Sequence, residues 1–503
     1  MRVLGLPLRI CLAAALFWTP SPPAFANGWE WHSIPREALI AGLESQGAEA
    51  RSYAIRALGF RGDKLITPRL IEIAASNDEP TALRSEATRA LARIKDRRAV
   101  TPLIELLRAG PIPELRGLAA AALGQIGGEQ ALQALLATFD MEQGLLARTE
   151  LIAALGQFSD PRSIAALSRE LEQAKSPNLR RRAALALGET GHPAAAGPLV
   201  EALGRPQNKS FKIYLVDAMG RSGGADARRP LAELAEAADD PLLRIRATIA
   251  LGAVTEGRST AALIKLLRDP NPAIRYHVIQ GLAKQADPAA RPALIEVYRE
   301  IQSAPATDPE DILFALTMRY EIVRTLTAID PTGAAAILRN AAERLEFGRN
   351  SAFSLRLNEG AYELRRVAIW GLGYSDSDQS SAYLLKTALA DRDFRIRSVT
   401  ARSLGVLGRT AAVPALIDRL GDKVAEVRWQ AALVLGRLGD VRAAEALIAA
   451  LEDGHPEVRR QAALALGYLG AKNAVQALRA RAGTDADERV REAAGQGLAL
   501  ITK

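Results

Sequence analysis

VRWQAALVLGRLG (residues 427–439) and VRRQAALALGYLG (residues 458–470) are two copies of one pattern that lie 31 residues apart. In both copies, apolar or small residues recur three and four positions apart, which is the spacing of one buried face of an α-helix. The Ala and Gly residues around these positions allow neighbouring helices to approach closely. The pattern therefore predicts a short helix that buries one face.

The pattern recurs along the chain when each copy is aligned on its Arg, here called the anchor, from which positions are counted. The fourteen anchors are 31–33 residues apart, except for two spacings of 44 and 46 residues. They are Arg51, Arg84, Arg116, Arg148, Arg180, Lys212, Arg244, Arg275, Arg319, Arg365, Arg397, Arg428, Arg459 and Arg491. Position +7 is Leu in thirteen copies and Met219 in the other, and position +8 is Gly in ten.

A unit of this length has room for two short helices and cannot bury its apolar face alone, so the units must stack on one another. We therefore predict an all-α, single-domain solenoid over residues 27–503, with about 14 two-helix repeats. The anchor lies on the second helix of each pair.

The motif VRxxAAxALGxLG, followed by a helix such as AVPALIDRL (residues 412–420), resembles the HEAT repeat, and most closely the short bacterial variety also found in phycobilisome lyases. The resemblance implies a right-handed armadillo/HEAT-like superhelix with the second helices on its concave side. It also implies ion pairs between an acid that ends a first helix and an anchor Arg, which would make the anchors structural. Acids six residues before an anchor are Asp78, Glu142, Asp269, Glu359, Asp391, Asp422, Asp453 and Asp485. Several copies lack this acid, so an interrupted ladder is expected.

The first 26 residues are typical of a secretory signal peptide. Arg2 and Arg9 precede the nine-residue apolar stretch at residues 10–18, and small residues flank Phe25 before a predicted cut ahead of Asn27. The only Cys, Cys11, would leave with this segment. No later stretch has the roughly 20 apolar residues of a membrane span. We therefore expect an exported, periplasmic protein without a membrane span.

The sequence carries no catalytic or metal-binding motif such as HExxH, CxxC, GxSxG or a phosphate-binding loop. Its four His residues are far apart, so we expect neither a metal nor another cofactor, and no enzyme activity. The net charge of +8 is basic without a nucleic-acid-binding tail, and export argues against a nucleic-acid partner.

The interpretation as a binding surface depends on positions +1, +2, +5 and +9 of the second helices, which we expect to face outward. Eight of the eleven Tyr and Trp residues between 51 and 503 fall there, with thirteen basic and six acidic residues. Tyr, Trp and Arg dominate binding hot spots. An aromatic, basic face suits an acidic or extended protein segment. The alternative is that the rings pack between helices.

The two long spacings add residues around 303–311 and 342–360, within lengthened repeats at about 285–364. Insertions in repeat proteins project as loops and often join the binding face, although an insertion without a task is equally open. We favour one site over about 346–374. The candidate partner-binding residues are Tyr276, His277, Tyr320, Arg324, Phe347, Phe353, Arg366, Trp370, Tyr374, Arg402, Trp429, Arg437 and Tyr468.

The sequence thus predicts an exported, non-enzymatic scaffold or adaptor that binds a protein or peptide on the concave face. Two alternatives remain open. One is a bilin lyase-like protein or chromophore chaperone, suggested by repeat similarity alone, and the other is a binder of an anionic surface polymer. The oligomeric state is not predicted.

Overall fold

The computed structural model describes residues 34–502 except 111, 143, 255, 305–307, 344 and 346–351, and omits the side chains of residues 352 and 353. Within this part the chain is helical and contains no strand. Its 28 α-helices alternate along the chain as the first and second helices of 14 repeats, which confirms the predicted all-α solenoid of two-helix repeats. None of these helices is both long and apolar enough to cross a membrane. The predicted signal peptide lies outside the described residues.

The chain divides into two compact units, which adjoin in sequence at Leu266 and Leu267. Odd-numbered helices are the first and even-numbered helices the second of each pair. The N-terminal unit contains α1 Arg36–Leu43, α2 Ala48–Arg61, α3 Thr67–Ala75, α4 Thr81–Ile94, α5 Val100–Ala109, α6 Pro113–Ile126, α7 Glu129–Met141, α8 Leu145–Leu155, α9 Pro161–Gln173, α10 Pro177–Glu189, α11 Ala196–Gly204, α12 Lys209–Ser222, α13 Arg228–Ala237, α14 Pro241–Ala253 and α15 Thr260–Leu266.

The C-terminal unit contains α16 Pro272–Gln285, α17 Arg291–Ser303, α18 Pro309–Ile329, α19 Ala335–Ala341, α20 Ala352–Leu372, α21 Asp378–Lys386, α22 Phe394–Leu407, α23 Val413–Arg419, α24 Ala425–Leu438, α25 Ala444–Ala450, α26 Pro456–Leu469, α27 Val475–Thr484 and α28 Glu488–Thr502. In each unit the second helices pack on one another and, where both helices of a repeat lie in that unit, on their own first helices. A single continuous stack over residues 27–503 stays a prediction.

The start of each second helix is set locally. Twelve of the fourteen begin three residues before their anchor. At α16, the Asn271 side chain accepts a hydrogen bond from the amide of Ala273 at 2.9 Å, and Pro272 takes the first helical position. An Asn cap satisfies an amide that has no partner within the helix, and Pro has no amide to satisfy there. Helix ends are equally local, since Gly439 ends α24 with a left-handed φ of 69°.

Successive second helices meet where position +8 of one helix faces position +6 of the next. A Cβ atom on Gly436 would lie 2.7 Å from the Cα of Ala465, and one on Gly124 would lie 2.9 Å from the Cα of Ala154. No side chain fits at such distances, so Gly at +8 permits the close approach of the two backbones. This contact explains the Gly that recurs in the sequence.

One joint in the C-terminal unit reverses these roles. Position +8 of α18 is Thr327, and position +6 of α20 is Gly371. A Cβ atom on Gly371 would collide with the Thr327 hydroxyl group. The small residue has therefore moved to the other side of the joint, where it makes room for the β-branched side chain.

The anchor arginines connect neighbouring repeats. The Nε and Nη2 atoms of Arg397 donate to the Asp422 carboxylate at 2.7 Å each. Its Nη1 donates to the main-chain carbonyl of Asp391 at 2.8 Å. An anchor thus binds a carbonyl in its own repeat and the carboxylate of the next repeat. Equivalent carboxylate pairs are Arg365–Asp391, Arg428–Asp453 and Arg459–Asp485.

The interruption expected at Arg116, which has no acid six residues before it, is not found, because its partner Glu142 belongs to the following repeat. In the N-terminal unit Arg116 pairs with Glu142, whereas Arg148 pairs with Glu170, an acid ten rather than six residues before the next anchor. These bonds support the structural role predicted for the anchors. Such bidentate, charge-assisted pairs fix direction as well as distance.

The two lengthened repeats differ from the sequence expectation. Helices α18 and α20 have 21 residues each and begin ten and thirteen residues before their anchors. The expectation that the insertions project as loops is therefore wrong for residues 309–311 and 352–360, which are helical. At α18, Asp308 accepts from the amide of Glu310 and Pro309 opens the helix, which are favourable starting residues.

Candidate binding surface on the second helices

The four positions expected to face outward are not equivalent in the last five repeats. Position +9 is exposed in all five second helices, whereas position +2 is buried in four and half-buried in one. At 3.6 residues per turn, +2 lies only about 40° around the helix from +6, which packs on the preceding helix. The prediction that +2 faces outward is therefore wrong in these repeats.

Tyr276, at position +1 of α16, is also a correction, because only 7% of the residue is exposed. Position +1 lies about 20° around the helix from +8, on the side that faces the next second helix. Burial raises the pKa of the Tyr276 hydroxyl, and the charge of Glu321 on α18 adds to the rise. The ring packs edge-to-face on His277, with centroids 5.4 Å apart. Tyr276 is thus a packing residue, as the alternative interpretation proposed.

His277 is half-buried, and its Nδ1 lies 3.2 Å from Oε1 of Gln280 on the same helix. The amide therefore fixes the orientation of the imidazole. No group of three or more His, Cys, Asp or Glu residues in the described part of the chain is placed to hold a metal ion.

Arg324 and Arg366 are neutralised within their own helices. Arg324 lies 2.7 Å from Glu321, and Arg366 lies 2.7 Å from Glu363, each three residues earlier. The half-buried Tyr320 lies near both pairs. Burial raises the pKa of its hydroxyl, Glu321 and Glu363 add to the rise, and the two arginines oppose it. The predicted surplus of positive charge is therefore absent around Tyr320.

Trp370 and Tyr374, which the sequence grouped with Trp429, form a cluster with Arg402. Trp370 and Tyr374 lie one turn apart on α20, with ring centroids 5.2 Å apart and planes at 74°. The Arg402 guanidinium, from α22, lies 4.8 Å from the Trp370 centroid. Edge-to-face rings and a cation above an aromatic face are both favourable geometries. Tyr374 is 50% exposed, so the cluster has a solvent-facing side.

The remaining candidates fall into three groups. Tyr468 is 63% exposed and Arg437 is exposed, so both are accessible as predicted. Trp429 is half-buried at +1 of α24. Phe353 lies on α20, but its side chain is not described, and Phe347 lies outside the described residues.

The exposed aliphatic residues at position +9 were not predicted, because only aromatic and charged residues were counted. Val406 and Leu500 occupy position +9 in α22 and α28, and both are exposed. When the last five copies of the repeat are aligned, the sequence itself shows a large residue at +9 in each. Tyr362, whose ring lies 3.8 Å below the Arg395 guanidinium, is a second aromatic contact between α20 and α22.

The family model for HEAT repeats matches residues 36–117, 67–156, 145–220, 228–305, 350–428 and 422–499. Comparison with curated protein sequences gives no match.

Solved structures with the same fold include karyopherins. Kap121p bound to the extreme C-terminus of the protein phosphatase Cdc14p has a TM-score of 0.50 and 13% identity, over 93% of this chain and 62% of that one. A mutant of Kap121p gives 0.51 and 13%, over 86% and 57%. This chain thus spans about three fifths of the length of the Kap121p chains that it matches. At these identities the likeness concerns the fold alone. Since the repeat model matches most of the sequence, the chain belongs to the HEAT-repeat family.

Proposed function

We propose that the protein is an exported, non-enzymatic scaffold that binds a protein or peptide on the second helices of its C-terminal unit. The observation that carries this proposal is the cluster of Trp370, Tyr374 and Arg402. It combines an oriented cation with an aromatic ring that is half exposed. Aromatic and Arg side chains held in place before binding lose little entropy when a partner docks.

The frame supports this use because the exposed face of Tyr374 is not needed for the main contacts between repeats. Packing between second helices is carried by positions +6 and +8, and connection between repeats by the anchors. Kap121p, with the same fold, holds the extreme C-terminus of another protein. We extend this mode of use, a solenoid that binds the end of another protein's chain, to the present protein.

A photo-crosslinking amino acid at position 374 tests the proposal in the native cells. The matched control carries the same amino acid at Val441, which is 70% exposed and lies on a 3₁₀ turn outside the cluster. We expect one protein adduct, identified by mass spectrometry, from position 374 and none from 441. Equal adducts at both positions, or none at either, would contradict a binding site at the cluster.

Export is tested separately, by sequencing the N-terminus of the protein purified from its native cells. The signal-peptide pattern predicts a mature chain that begins at Asn27. A chain that retains Arg2 and the apolar stretch would contradict export by cleavage, without bearing on the binding site.

A further inference from the structure

The last five second helices present one continuous row of exposed large side chains. The row occupies position +9 of α20, α22, α24, α26 and α28, and is here called the +9 row. It consists of Tyr374, Val406, Arg437, Tyr468 and Leu500. The preceding +8 positions are Gly in four of these helices and Ala in the fifth, so no bulky side chain directly precedes a member of the row. Four of its five members are apolar or aromatic.

The charges at positions +5 and +9 have one sign. Positions +5 and +9 of these five helices carry Arg402 and Arg437 and no acid. Neither arginine forms an ion pair with a carboxylate in the described part of the chain, whereas Arg366 and Arg460, at +1, are paired with Glu363 and Glu457. A ligand that covers the row would desolvate two cations that have no carboxylate partner, which is costly unless the ligand brings carboxylates. The occupant should therefore be acidic as well as apolar.

The spacing of the row selects a backbone conformation for the occupant. Helices that pack through small residues have axes about 8–10 Å apart, so successive row members recur at about that distance. In a β-strand, side chains on one face recur every 6.6–6.8 Å or so. In a polyproline II helix they recur every three residues, or about 9.3 Å. Polyproline II segments also dock on aromatic-lined surfaces, and Tyr374 and Tyr468 supply such rings.

We propose that the +9 row binds an acidic, proline-rich peptide segment in the polyproline II conformation, with one turn of the peptide for each repeat. The inference deepens the proposed function, on which it rests, by stating the chemistry and conformation of the partner. Apolar side chains every third residue contact the row, and carboxylates contact Arg402 and Arg437.

The test uses the purified full chain and a fluorescein-labelled peptide of five Leu-Pro-Glu triplets, with binding followed by fluorescence anisotropy. One control peptide replaces every Glu with Lys. The other keeps the composition but shuffles the order, so that Leu no longer recurs every third residue. We expect the first peptide to bind at least about tenfold more tightly than either control. Equal affinity for either control, or no binding of the first peptide, would overturn the inference.

Variants locate the site. Tyr468→Ala and Arg437→Glu should each weaken binding about tenfold or more, because central aromatic and Arg contacts dominate such interfaces. Val441→Ser, an exposed apolar residue outside the row, should bind as the unaltered chain does. Circular dichroism confirms that each variant is folded. If folded Tyr468→Ala and Arg437→Glu bind normally, the assignment to the +9 row is overturned.

The inference and the proposed function fail in different ways. If position 374 still captures a partner protein while the Leu-Pro-Glu peptide does not bind, the polyproline II inference is wrong and the scaffold proposal stands. If both experiments give nothing, both are wrong.

Discussion

The joint between α24 and α26 and the joint between α18 and α20 perform the same task with opposite residues. In the first, Gly436 at +8 receives the backbone at Ala465, and in the second, Thr327 at +8 is received by Gly371. A joint therefore requires one small residue in a facing pair, and either side can supply it.

The anchor arginines of these two regions also bind different acceptors. Arg428 pairs with the Asp453 carboxylate. The acid in the corresponding place for Arg319 is Glu359, which lies within α20 and pairs with Arg395. Arg319 donates instead from Nη2 to the hydroxyl of Tyr298 at 2.9 Å. That hydroxyl lies 3.2 Å from Oδ1 of Asn340 and donates to it. The anchor guanidinium thus binds an acceptor on a neighbouring first helix or turn. The buried Tyr298 hydroxyl is that acceptor where no carboxylate pairs with the anchor.

The largest expected effect comes from placing the α18 residue in the α24 joint. Gly436→Thr should lower the free energy of unfolding by about 3 kcal/mol, because its side chain meets backbone at Ala465. Adding Ala465→Gly, which copies the Thr327–Gly371 pair, should recover at least about half of that loss. Urea unfolding followed by circular dichroism measures both. A single variant that costs nothing, or a double variant no better than the single one, would break the comparison.

The ladder gives a smaller effect. Asp485 is buried and accepts bonds from Nε and Nη2 of Arg459 at 2.8 and 2.7 Å. Asp485→Asn should lower the free energy of unfolding by about 2 kcal/mol, since it weakens charge-assisted bonds in a buried site. The matched control is Arg442→Ala, which breaks the pair with Asp440 at an exposed arginine and should cost less than about 0.5 kcal/mol. Similar losses in both variants would show that the ladder is no more than surface charge.

The pH dependence sharpens this result. The hydrogen bond from Arg459 lowers the pKa of Asp485 in the folded chain. Its stabilisation is therefore complete above the unfolded pKa, near 3.9 or so, and is lost as the pH falls through the lower folded value. The gap in melting temperature between the unaltered chain and Asp485→Asn should be full at neutral pH and shrink below about pH 4. A gap that widens in acid would contradict the role of the ionised pair.

The smallest effect is expected at Tyr298, whose hydroxyl takes the place of a carboxylate beside the anchor Arg319. Tyr298→Phe keeps the ring beneath the Arg319 guanidinium, whose carbon lies 5.1 Å from the centroid, and removes only the hydroxyl. The free energy of unfolding should fall by about 1 kcal/mol, the value of a typical hydrogen bond. A loss as large as that of Asp485→Asn would show that the two kinds of anchor contact are equivalent in strength.

Much of the frame was predictable because its determinants are local. The 3–4 spacing of apolar residues fixed the buried face, and the anchors fixed the register of twelve of the fourteen helix starts. The helical extension of α18 was also readable, since Asp308, Pro309 and Glu310 form a favourable helix start. A loop was expected there because of the long spacing between anchors, and this helix-start signal was not taken into account.

Contacts between repeats were not predictable from one repeat alone. Nothing in the spacing showed that +8 of one helix faces +6 of the next, so neither the Thr327–Gly371 exchange nor the burial of Tyr276 could be foreseen. The count of charged residues also overestimated the positive charge of the surface, because Arg324 and Arg366 are neutralised by glutamates three residues earlier on the same helix. The accessible part of the surface follows from which sides of a helix its neighbours cover.

The central claim is that the frame and the binding surface use separate residues, and one variant panel tests it most directly. Melting temperature and affinity for the Leu-Pro-Glu peptide are measured for Tyr374→Ala, Tyr468→Ala and Asp485→Asn. The two tyrosine variants should lose about tenfold in affinity while melting within about 2 °C of the unaltered chain, and Asp485→Asn should melt lower yet bind normally when folded. Tyrosine variants that melt as low as Asp485→Asn and keep their affinity would contradict the claim, because the rings would then belong to the packing.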